Sequence, residues 1–139
     1  MGELFPSVPG AKQLFNWFGY WPSFHDAEVL SIELNRMGAS KVRVHTFRMT
    51  DAVDSKGFSV CDKHCIVTFV MEDITRVKLA HFNHQNALSG LKFSRENDEY
   101  ALVFTPAHGV EGTLNAKKVS IEVIPGIPLG SQYEKSRTQ

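Results

Sequence analysis

Between residues 27 and 124 the chain repeats one pattern: a short run in which apolar and polar residues alternate, then a polar turn too brief to hold a helix. Residues 27–36 alternate Leu30, Ile32 and Leu34 with Ser31, Glu33 and Asn35. Residues 41–49 do the same through Val42 and Val44, after the hairpin-sized Met37-Gly38-Ala39-Ser40. The runs 64–72, 74–82, 88–95, 99–105 and 117–124 follow, with turns such as Glu72-Asp73 and Glu96-Asn97-Asp98 between them. A period of two turns one face of each run toward a core and the other toward water. Parallel neighbours need crossovers of about a dozen residues or more, so these connections imply antiparallel strands.

Ala11, Leu14, Phe15 and Phe18 recur at helical spacing and predict one short helix over about 10–18, with Ser7 as its N-cap and Gly19 as its stop. The expected class is therefore α+β, mostly β. An antiparallel curved sheet or a two-layer sandwich of about seven strands would hold the short N-terminal helix. Residues 1–124 read as a single β-rich domain, and 125–139, with Pro128 and Gly130, as an extended or frayed C-terminal tail. Residues 50–62 are polar and broken by Gly57; they read as the longest loop, where binding residues often gather.

Fifteen basic residues balance fifteen acidic ones without forming a basic stripe, which argues against nucleic acid as a partner. No apolar run approaches the roughly 20 residues of a membrane-spanning helix. The N-terminal residues lack the basic and apolar regions of a secretory signal, so a cytoplasmic protein is expected. Cys61 and Cys65 have no second pair to complete a zinc site and read as reduced thiols; no cofactor is implied. There is no GxSxG, Walker or GxGxxG sequence.

Chemistry-bearing residues crowd into His25-Asp26-Ala27-Glu28. Counting back by twos from Leu34 places Glu28 and Asp26 on the core-facing side, at its rim, and His25 on the other. Three readings follow. Asp26 and Glu28 form a carboxylate pair with His25 as base or ligand, as in a metal-dependent hydrolase. That site would draw on His45, His64, His81, His84 or His108, none of which shows a metal-binding spacing. Alternatively the cluster is architectural, with Asp26 accepting backbone N–H groups in a turn and Glu28 pairing with a cation on the next strand. It is otherwise a binding surface. A small-ligand-binding β domain with a pocket between sheet and helix is a further alternative. The stretch His81 to Leu88 is a second polar concentration at a crossing between strands. Of the nearby aromatics, Trp17 and Phe24 are expected in the core, while Tyr20 and Trp21 suit a core or an interface equally.

The segments WPSFHDAEVLSIEL (21–34) and VKLAHFNHQNALSGLKF (77–93) together resemble the immunity protein 50 family of bacterial polymorphic toxin systems, over roughly residues 17–124. The resemblance implies a mostly-β, non-enzymatic protein that binds and neutralises a cognate toxin domain. Its motif positions here are Trp21, Phe24, His25, Asp26 and Glu28, then Phe82, Asn83, Gln85 and Asn86. It does not say whether these touch toxin or hold the fold. Zero net charge gives no sign of a nuclease target, whose basic substrate groove an acidic surface would compete for. A homodimer through exposed sheet edges is left open.

Overall fold

The computed structural model describes residues 7–131 and 133. Within them the chain is mostly β, as expected: one helix, α1 (Ala11–Phe18), precedes β1 (Glu28–Glu33), β2 (Ser40–Val53), β3 (Ser59–Ala80), β4 (Ala87–Glu96), β5 (Glu99–His108) and β6 (Glu111–Pro125). All neighbours are antiparallel, in the order β1-β2-β3-β6-β5-β4. The curved sheet closes into a barrel where Glu28 of β1 meets Ala87 of β4. Val42, Val44, Val67, Phe69, Leu102 and Leu114 fill the interior. Residues 132 and 134–139, part of the expected tail, lie outside the described residues.

The strand boundaries differ from the sequence reading in two places. The runs 64–72 and 74–82 join in the single strand β3, which ends at Ala80, because Glu72-Asp73 bends the chain without reversing it. Asp73 has φ 57, and the pairing with β6 shifts between Ile74 and Arg76, the signature of a bulge. The expected loop 50–62 is instead a hairpin in which β2 runs on to Val53 and β3 begins at Ser59.

β1 also faces the opposite way from expectation. Ala27 and Val29 point inward and are buried, and Glu28 points outward opposite His45. The register with β2 then shifts between Val29 and Ser31, where Leu30 is the extra residue. That bulge returns Ile32 to the core, while Leu34 lies beyond the strand and is 46% exposed. One inserted residue inverts every side chain after it, so counting back from Leu34 assigned the wrong face.

Helix α1 buries Ala11, Leu14 and Phe18 and leaves Phe15 partly exposed. It starts at Gly10, not Ser7: the Pro9 carbonyl accepts from Ile121 N–H at 2.8 Å, so closely that a Cβ on Gly10 would strike the Ile121 carbonyl. Gly19, at φ 84, ends the helix. Trp17 Nε1 donates to the Lys63 carbonyl at 2.8 Å and Lys63 Nζ donates back to the Trp17 carbonyl at 3.0 Å, tying the helix to the start of β3.

Candidate functional site

The two sequence motifs meet where the barrel closes. Phe24 and Asp26 have φ 62 and 63, which wind the chain so that residues 23–29 run beside 86–91. Asp26 N–H donates to the Leu88 carbonyl at 2.8 Å, Leu88 N–H to Ala27 at 2.9 Å, and Val29 N–H to Asn86 at 3.0 Å. The buried Asn86 side chain completes the seam: its Oδ1 accepts from Asn83 N–H at 2.8 Å and Val110 N–H at 3.2 Å, and its Nδ2 reaches the Val29 carbonyl at 3.5 Å. Asn83 Oδ1 accepts from the backbone of Gln85 and Asn86 at 2.9 Å each. Gly109 crosses this pair at φ 106, where a Cβ would lie 2.6 Å and 2.7 Å from the two amide oxygens. Phe24 is buried against Phe69, and Trp21 is half-buried over Phe93. Phe82 stands 54% exposed.

The His-Asp-x-Glu residues do not converge. His25 is exposed, with Nδ1 3.1 Å from the Ser89 carbonyl and Nε2 3.7 Å from Asp26 Oδ2. Glu28 projects to the outside of the barrel, where Oε1 accepts from His45 Nδ1 at 2.7 Å and from the Ser131 hydroxyl at 2.6 Å. His45 Nε2 lies 2.9 Å from His64 Nδ1. His45 and Phe47 occupy outward positions of β2 yet are buried, because the chain after β6 crosses them, with the Tyr133 ring tilted against Phe47 at 4.6 Å. Because a carboxylate only accepts, His45 Nδ1 is the donor to Glu28, and the direction of its Nε2 contact with His64 depends on the tautomers of the two rings. Two imidazoles bonded to each other aim their nitrogens at one another and not at a shared ion. Among the described residues, no group of three or more His, Cys, Asp or Glu is placed to hold a metal. The partner of Glu28 was legible as a neighbouring-strand residue, but its being a histidine was not.

A third feature had no signal in the reading of residues 50–62. β1 stops pairing with β2 at His45, and β6 stops pairing with β3 at Cys65, so beyond these points the two strands form a ribbon that, among the described residues, no third strand flanks. Arg48 spans its root, donating to both oxygens of Asp62 at 2.8 Å and 2.6 Å. That hydrogen bonding holds the Asp62 carboxyl below its ordinary range and raises Arg48. The tip is built by Asp54, whose Oδ1 accepts the N–H groups of Lys56 at 2.8 Å and Phe58 at 3.0 Å. A cleft of about 250 Å³ at the root is lined by Tyr20, Pro22, His25, Phe47 and Met49, among others. The available signal was the turn itself, Asp54-Ser55-Lys56-Gly57 with Asp first and Gly last, set between the apolar residues Val53 and Phe58.

A family model described as immunity protein 50 matches residues 10–126. No curated protein and no solved structure is matched by the chain. The matched span takes in α1, the seam with both motifs, the ribbon and all six strands. The chain belongs to the immunity protein 50 family.

Proposed function

We propose that the protein is a non-enzymatic immunity protein that binds the domain of a cognate toxin and blocks it. The family match over residues 10–126 carries this reading. The geometry supports it in a second way. Asn83 and Asn86 of the second motif are engaged in closing the barrel and Glu28 of the first in the outer Glu28–His45–His64 cluster, and among the described residues no nucleophile, base and oxyanion donor are assembled together. What the molecule offers instead is shape: an exposed, ordered ribbon beside a shallow cleft.

The test is to search the genes adjacent to this one for a toxin domain and to co-express any such domain with this protein. Protection of growth and recovery of a complex containing both chains are expected. A toxin that kills equally with and without this protein, and that fails to co-purify with it, would falsify the reading.

A further inference from the structure

We infer that the ribbon formed by the end of β2 and the start of β3 is the part that enters the toxin, a wedge fitting a cleft with apolar walls and a cationic rim; this rests on the function proposed above. An isolated two-stranded ribbon buries little and is marginal in water, so a protein with no use for it gains nothing by displaying large apolar side chains there. This one displays Met49 at 46%, Val53 at 66%, Phe58 at 67% and Val60 at 38% exposure. The exposed Met49 also lines the cleft beside Tyr20 and His25, so the apolar surface continues into the motif region.

The ribbon is also held in shape before any partner arrives. Arg48 and Asp62 clamp its root, Lys63 is bonded to Trp17 of the helix, Thr50 Oγ1 donates to the Val60 carbonyl at 2.7 Å, and Asp54 fixes the turn. Ordering a loop on binding subtracts from affinity, and here much of that cost is met in the free protein. Charge defines the rim of the partner. At the root Arg48 neutralises Asp62, and beyond it Asp51 and Asp54 outnumber the one cation, Lys56, so the projecting part carries one net negative charge in a chain whose total is zero.

The competing surface lies at the other end of β3, where β2 has ended and the edge from Asp73 to Ala80 has no β2 partner. There Val77 is 47% exposed, but Arg76 and Lys78 flank it, the kind of charged guard that discourages strand addition.

The experiment takes the toxin domain that co-expression identifies as this protein's partner and titrates it, purified, against the full chain and four variants: Phe58→Asp, Val53→Lys, Asp51→Lys and Val77→Asp. Phe58→Asp and Val53→Lys are expected to weaken binding about thirty-fold or more, the loss typical of a buried anchor. Asp51→Lys is expected to weaken it about tenfold at low salt and less at high salt. Val77→Asp is expected to bind as the wild type does. Amide exchange in the wild-type complex is expected to slow across residues 49–60, a readout that needs no variant to fold. Wild-type affinity in both Phe58→Asp and Val53→Lys, or unchanged exchange over 49–60 in a formed complex, overturns the inference while leaving the proposed function standing. Failure of the wild-type chain to bind at all removes the function first and the inference with it.

Discussion

Asn86 holds three elements through one amide: the turn at Asn83, the start of β6 at Val110, and β1 at Val29. Replacing it by Ala leaves two backbone N–H groups facing a buried void, and the expected cost is about 2–4 kcal/mol in denaturant unfolding. Asn86→Asp keeps both accepting bonds and is expected to cost less. Glu28→Gln keeps the shape of the outer cluster but weakens the acceptor shared by His45 and Ser131. A loss of about 1–3 kcal/mol is expected, with toxin affinity per folded molecule unchanged; lost affinity at full stability would instead make Glu28 a contact. Burial pushes the Cys65 thiol up to about 12. In the native protein at pH 8 it is expected to resist alkylation that proceeds readily once the chain is unfolded. The folded thiol holds its proton more tightly than an unfolded one does, so this stabilisation is whole below about pH 9 and is lost as pH rises toward 12. Asn83 and Asn86 were legible as residues that tie down a strand crossing. Their target was not, because Val29 and Val110 are 57 and 24 residues away from Asn86.

Among the elements, the strands with a core face announced themselves, and those without one did not. β5, the start of β2 from Ser40 to Val44 and β4 from Leu91 to Phe93 alternate because only one of their faces is dry. The ribbon has no dry face, so its residues 51–60 are all exposed and show no sustained apolar period. β1 misled for another reason: a bulge leaves no compositional trace, and Leu30 is as apolar as the residues it displaces. The segment after β6 acts on His45 and Phe47 as a cover, and Tyr133→Ala is expected to cost about 1–3 kcal/mol and to raise the exposure of both, seen as faster amide exchange in β2. The Arg48–Asp62 pair predicts a different signature. Hydrogen bonding from Arg48 depresses the Asp62 carboxyl, so its contribution is present above the ordinary carboxylate range and is lost as pH falls through the lowered value. Because both side chains are about 40% exposed, the effect is expected in the ordering of the ribbon, read by exchange at residues 48–62, more than in global unfolding.

At the scale of the whole molecule, antiparallel pairing followed from the short connections, and the curved sheet of the sequence reading is the one that closes. Closure itself was invisible, since it depends on a pairing between residues 28 and 87 that no local pattern encodes. The same fact orders assembly. β1–β2, β2–β3, β4–β5 and β5–β6 join sequence neighbours, whereas β3–β6 and β1–β4 must close long loops, so folding is expected in the millisecond-to-second range. Until residues 23–29 lie along 86–91, the chain is an open sheet whose outermost strands present unpaired backbone to any other chain nearby. The two sequence motifs therefore sit at the latch of the barrel, and a copy defective there is expected to go astray by pairing with its own kind before it ever meets a partner.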